Sequence, residues 1–255
     1  MTRHRLLQRL QDWWPLRYRG TAIGRVHFGS LRRLQPIGAV FGWHRGHDLD
    51  LCIDRYYISD FLARHAADIQ GHVLEVADDG YTQRFGGAKV LRSDILHAPP
   101  GHPNATMVAD LTQADHLPSN LFDCIILTQT LQYIYEVRSA IHTLYRLLQP
   151  GGVLLVTCPG MSQMSPRDRA QWGEYWRFTT MSLRNLLAEC FPADQVHVQG
   201  WGNVLTAIAF LHGLIIPDLR RDELAYHDPD YELLVTGRAV KPAALPDPAA
   251  LPAGS

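Results

Sequence analysis

Residues 110–160 read DLTQADHLPSNLFDCIILTQTLQYIYEVRSAIHTLYRLLQPGGVLLVTCPG, and this stretch decides the fold. Residues 123–128 (DCIILT) and 153–157 (VLLVT) are continuous apolar runs bounded by turn residues. Such runs suit the central strands of a parallel sheet that is covered on both faces. Between them Ala140, Ile141, Leu144, Leu147 and Leu148 recur at helical spacing, and Pro150, Gly151 and Gly152 stop the helix. Strand, helix, stop and strand make a βαβ unit, whose crossover is right-handed.

Working outward, residues 72–76, 89–96 and 105–109 read as further strands. Residues 195–199 and 232–238 add two more, flanking a helix over 204–214. The link over 81–87 has room for barely two helical turns, and the proline-rich text at 98–103 excludes a regular helix. Upstream, residues 36–70 form a second unit, with loop text at 38–46 and a helix over 53–65 whose apolar face is Tyr56, Tyr57, Phe61 and Leu62. Residues 1–35 are basic and amphipathic: Leu6, Leu7, Leu10, Trp13 and Trp14 alternate with Arg3, Arg5 and Arg9 at helical spacing. Two readings stand for them: a helix on an anionic membrane surface or partner, making peripheral contact, or a helix packed on the main domain. The main domain is expected over 71–240. Residues 241–255 are Pro/Ala-rich without periodicity and are expected to lack order.

The chain has 255 residues, 24 Lys and Arg, 25 Asp and Glu, and a net charge of −1. That balance gives no electrostatic case for nucleic acid. Cys52, Cys124, Cys158 and Cys190 form no CxxC pair and read as reduced thiols, which points to the cytoplasm. The longest apolar stretch, 205–216, is far short of the roughly 20 residues that span a bilayer. The 13 histidines show no metal-ligand spacing, so no metal is expected.

The stretch over 110–160 resembles the second half of type 11, class I, S-adenosylmethionine (SAM)-dependent methyltransferases. The matches are Asp110, Leu117-Pro118, Phe122-Asp123, Leu148-Gln149-Pro150-Gly151-Gly152 and the apolar run that follows. The resemblance implies an α/β, Rossmann-like sheet with an N-terminal helical extension or lid, SAM as cofactor, and a transferase. It implies that Asp110, with Leu111 beside it, faces the adenine amino group. Thr128 and Gln129 then lie near the methyl donor. Helix capping or loop hydrogen bonding are the alternatives for these residues. At the first strand Glu75 matches, but Ala77 and Asp79 stand where the family has glycines, leaving Gly80 as the permissive residue before Tyr81. Asp94 lies 19 positions after Glu75, close to the ~20-residue spacing of a ribose-binding acid. No G-x-G-x-x-G follows the first strand, which argues against a nicotinamide cofactor.

The text Trp172-Gly173-Glu174-Tyr175-Trp176-Arg177-Phe178-Thr179 resembles a segment of bacterial methyltransferases encoded with glycan and cell-surface polysaccharide enzymes. The resemblance implies a glycan or small-molecule acceptor walled by Trp172, Tyr175, Trp176 and Arg177. Aromatic faces stack on sugars, and an arginine fork holds paired oxygens. A structural cap over a core edge is the alternative. Residues 42–46 and 53–58 also resemble this group, with Arg45 and Tyr57 near the cofactor under a lid reading. Structural ion pairs and packing are the other reading. An oxygen nucleophile benefits from a base near neutral pKa, and His44 and His47 are the candidates. The expected activity is O-methylation of a sugar hydroxyl in a glycan or glycosylated small molecule. The alternatives are N- or C-methylation of a secondary metabolite, and a non-catalytic, partner-binding domain.

Overall fold

The computed structural model describes residues 33–42 and 49–243. The amphipathic text before Arg33, the candidates His44, Arg45 and His47, and the tail after residue 243 lie outside the described residues.

Seven strands form one sheet: β1 (Gly71–Val76), β2 (Val90–His97), β3 (Met107–Val108), β4 (Phe122–Thr128), β5 (Leu148–Pro159), β6 (Val196–Trp201) and β7 (Leu234–Val240). Their order is β3-β2-β1-β4-β5-β7-β6. All pairings are parallel except those of β7, which runs antiparallel to β5 and to β6. The helices are α1 (Ile53–Arg64), α2 (Val137–Leu147), α3 (Pro166–Trp172), α4 (Thr180–Ala188), α5 (Val204–Leu211) and α6 (Arg221–Ala225).

Strand periodicity explains the layering. Alternate residues of β4 point to opposite faces. Ile125 and Leu127 join Ala140, Ile141 and Leu144 of α2 and Leu183 and Leu187 of α4 in one core. Cys124 and Ile126 join Ile53, Tyr57, Ile58, Phe61 and Leu62 of α1 and Phe210 of α5 in the other. Both faces of β4 are therefore buried, as its unbroken apolar text requires.

The link between β1 and β2 is short, as read: α-helical residues 80–81 run into a π-helical turn, Thr82–Gly86, and then a 3-10 turn, Gly87–Lys89. One local reading changes. Strand β5 begins at Leu148, directly after α2, and takes in the Pro150-Gly151-Gly152 text that reads as a pure helix stop. Gly151 sits at φ 84°, and its N–H bonds to the carbonyl of Lys241, past the end of β7. The glycine pair both ends the helix and opens the strand.

Far from the carboxyl edge of the sheet, Arg238 of β7 donates from Nε and Nη2 to the two oxygens of Asp68, each at 2.8 Å. Burial alone would raise the Asp68 carboxyl. The bonds from Arg238 and His65 outweigh it and hold the group well below the usual carboxylate range.

Candidate active site

Chain order reverses between β1 and β4: β2 and β3 extend one way, and β5 the other. In open parallel sheets ligands bind in the crevice outside the carboxyl ends of the strands at such a switch point. The groups at that edge come from the turns after β1, β2, β4 and β5, from the start of α1, and from the segment carrying α3.

After β1, Glu75 is buried and organises the turn. Its carboxylate accepts from Tyr81 N (3.2 Å), Thr82 N (2.7 Å) and Thr82 Oγ1 (2.7 Å). Burial pushes its pKa up to about 7, against the pull of those three donors. Ala77 has φ 78°, the left-handed region that favours glycine, while Asp79 and Gly80 do not. Of the two replaced glycines, only the position held by Ala77 uses glycine's conformational freedom, and Gly80 is not the permissive residue of this turn. Asp78 Oδ1 accepts from Gly80 N, and Asp79 Oδ1 from Gln83 Nε2, each at 2.9 Å. Both acids face their own loop.

Asp94 lies inside β2, paired in register with Leu74, three residues short of the strand end at His97. Its Oδ2 meets His72 Nε2 at 2.6 Å and Arg92 Nη2 at 3.0 Å. Burial opposes ionisation there, but these bonds and Thr106 keep the pKa low. The structure thus does not bring Asp94 to the carboxyl edge with Glu75. What stands at the β2 end is His97, stacked on His102 at 4.6 Å and edge-on to Trp172 of α3 at 5.8 Å. Asp110, just past β3, is exposed, and its Oδ1 accepts from Thr112 N and Thr112 Oγ1, each at 2.8 Å. Leu111 beside it is core.

After β4 the chain turns sharply. Gln129 has φ 47°, and its N–H bonds to Thr157 O. Thr130 Oγ1 donates to Thr128 O. Gln132 Nε2 donates to Gln129 O (2.9 Å) and Gln129 Oε1 (3.4 Å), which fixes both amides. Gln129 Nε2 and Gln132 Oε1 are then buried without partners. They line a cavity of about 260 Å³ that also takes in Asp54 and Arg55 of α1, Tyr133, Ser165 and Asp168. Asp54 Oδ1 is a third buried polar atom without a partner on this cavity. Burial raises the Asp54 pKa, with Arg55 pulling the other way. Asp54 falls in the 53–58 text that resembles the glycan-associated group, where a structural ion pair was its reading; Gln132 and Tyr133 carried no motif, so nothing in the text singled them out.

The segment after β5 is held by its own polar groups. Arg177 donates to Glu174 (2.6 Å), Gln163 O (2.8 Å), Trp176 O (2.9 Å) and Ser162 O (3.4 Å). Its fork thus clasps the loop on which it was expected to bind substrate. Glu174 Oε2 in turn accepts from Ser165 N, the residue whose hydroxyl caps α3. Trp176 Nε1 donates to Ile134 O, and Tyr135 stacks on Trp176 at 5.8 Å and meets Tyr175 edge-on at 5.3 Å. These three rings are exposed and make a platform beside the cavity. Thr179 caps α4 in a capping box with Ser182. Tyr57 is core: its hydroxyl donates to Leu224 O at 3.0 Å, and its ring packs on Trp201, away from the cavity. Its length and burial on α1 favoured packing over a polar role.

Among the described residues no helix is long and apolar enough to cross a membrane, and no group of three or more His, Cys, Asp or Glu forms a metal site.

Residues 65–156 match the family model described as "Methyltransferase domain". No curated protein sequence matches the chain. Solved structures of similar fold include the N-methyltransferase NodS of Bradyrhizobium japonicum, at 17% identity and TM-score 0.46, over 74% of this chain and 97% of that one. A SAM-dependent methyltransferase from Archaeoglobus fulgidus matches at 12% identity and TM-score 0.49, over 73% and 94% of the two chains. The [4+2]-cyclase SpnF matches at 17% identity and TM-score 0.48, over 73% and 81%. Over residues 65–156 the chain is thus similar to a methyltransferase domain.

Proposed function

We propose that the chain moves the methyl group of SAM to a hydroxyl oxygen of a sugar, in a glycan or a glycosylated small molecule. The observation that carries this is the pairing of a cavity at the carboxyl edge, with polar groups on its wall, and the exposed platform of Tyr135, Tyr175 and Trp176. Ring faces suit the C–H faces of a sugar, and the hydroxyls and amides beside them suit its oxygens. Three orphaned polar atoms on the cavity wall fit a small polar ligand. SAM supplies an electrophilic sulfonium methyl. The protein's task is alignment and exclusion of water, with a base for the hydroxyl proton. His44 and His47 remain the proposed bases. Glu75, Ala77, Asp79, Gly80 and Tyr81 are proposed for one side of the cofactor, and Asp110, Leu111, Thr128 and Gln129 for the other. The acceptor class and a cytoplasmic site of action are part of this proposal.

Two observations favour a non-catalytic, partner-binding domain. The turn after β1 holds Ala77 where glycine fits best, and Arg177 is fully engaged within its loop. Calorimetry with SAM and S-adenosylhomocysteine separates the readings: folded protein that binds neither is not an enzyme of this class. With SAM bound, methyl transfer from labelled SAM to a panel of glycans tests the acceptor. Trp176→Ala should lower turnover at least tenfold while leaving SAM affinity within about twofold, a loss of the size expected for a stacked ring. Transfer to amines alone would overturn the sugar-hydroxyl reading.

A further inference from the structure

We infer that Asp54 and Arg55, in the first turn of α1, grip the amino-acid end of the cofactor, Arg55 its carboxylate and Asp54 its ammonium group. This rests on the SAM-dependent reading above.

The two side chains line the cavity together, yet neither satisfies the other. Arg55 Nε stands 3.9 Å from Asp54 Oδ2, an ion-pair distance that is too long for a hydrogen bond. Asp54 Oδ1 is buried with no partner at all. A bare carboxylate oxygen away from water is costly, and a ligand that supplies the missing donor removes that cost. On the same wall Gln129 Nε2 is a donor without an acceptor, and Gln132 Oε1 an acceptor without a donor. The set therefore offers one cationic and one neutral donor, and one anionic and one neutral acceptor. That complement matches a zwitterion.

The acids nearest the β1 turn do not take this part. Asp78 is exposed and Asp79 half-buried, and each accepts a bond from its own loop. Arg55 nonetheless reaches that turn. Its Nη1 donates to the Tyr81 hydroxyl at 3.4 Å, and Tyr81 N donates to Glu75. The start of α1 is thereby tied to the turn in which the family's glycines are missing. A grip from above the sheet replaces the close backbone approach those glycines would have allowed.

The test uses the full chain, calorimetry and two probes. S-adenosylhomocysteine carries the amino-acid end; 5′-methylthioadenosine keeps the nucleoside and sulfur but lacks it. Arg55→Ala and Asp54→Asn should each weaken S-adenosylhomocysteine about tenfold or more, the scale of one charge-assisted hydrogen bond. Methylthioadenosine affinity should stay within about twofold. Thermal melts confirm folding, and Asp54→Asn, which keeps shape and volume, carries the test if Arg55→Ala does not fold. Equal weakening of both probes, or no weakening of either, overturns the grip while the SAM reading stands. Wild-type protein that binds neither probe overturns both.

Discussion

Replacing Ala77 by glycine should make the protein more stable, although it removes a methyl group. Ala77 sits at φ 78° and is solvent-exposed, so its Cβ contributes little packing. The conformation is imposed from outside: Ala77 N bonds to Leu96 O at 3.0 Å, and the turn that follows is fixed by Glu75. A left-handed backbone costs an L-residue about 1–2 kcal/mol. Glycine removes that strain but adds about 0.5–1 kcal/mol of unfolded-state entropy. The difference leaves a gain of about 0.5–1 kcal/mol, which for a chain of this size is a rise in Tm of about 1–4 °C. Urea unfolding followed by far-ultraviolet circular dichroism and tryptophan fluorescence reads it, with an unchanged m-value required for the comparison. Ala77→Val provides the opposite arm, because a β-branched side chain tolerates positive φ worst, and it should lose more than about 1 kcal/mol. If Ala77→Gly is as stable as the parent or less so, the strain argument is wrong.

The Asp68–Arg238 pair should be felt in acid. Asp68 has a depressed folded-state pKa, so its contribution is present above the unfolded value near 3.9 and disappears as pH falls through the folded one. Asp68→Asn should cost about 2 kcal/mol at neutral pH and flatten the acid limb of the stability curve; an unaltered acid limb refutes it. Glu75 works in the opposite sense. Its folded pKa is raised to about 7, so the folded state prefers the protonated form. Stability from this group is fully present below its unfolded pKa near 4.3 and is lost as pH rises through about 7. Glu75→Gln should remove that decline between pH 5 and 8, as measured by urea midpoints at fixed ionic strength; a slope that persists in the variant assigns the decline to another group.

Much of the fold was legible because it is written in local text. The β4–α2–β5 unit follows from two unbroken apolar runs, a helical period and a glycine stop, and all three act over a few residues. The strand ends moved by one to five residues, as with β5, because Leu148 pairs with Phe122 of β4 at one end, and Cys158 and Pro159 pair with β7 at the other, beyond the apolar text. Asp94 shows the limit of counting. A spacing of ~20 residues is an average over links that contain a helix. With only a short link between β1 and β2, the register that pairs Leu74 with Asp94 decides where that acid falls. Arg177 and Tyr57 show a second limit. Their chemistry suited a ligand, but donors close in space took it up first.

By itself the sequence determined the class of sheet, its central crossover, and the type 11 methyltransferase text that the family match over residues 65–156 then met. It could do so because burial on both faces and helix termination are set by neighbours in the chain. Only the tertiary structure decided that β7 inserts antiparallel between β5 and β6, and that Ala77 rather than Asp79 occupies the glycine conformation. Only the tertiary structure brought Asp54 and Arg55 to one cavity with Gln129 and Gln132, some 75 residues away in sequence. Those outcomes depend on which polar groups are left without partners once the chain has packed, and no local pattern records that remainder.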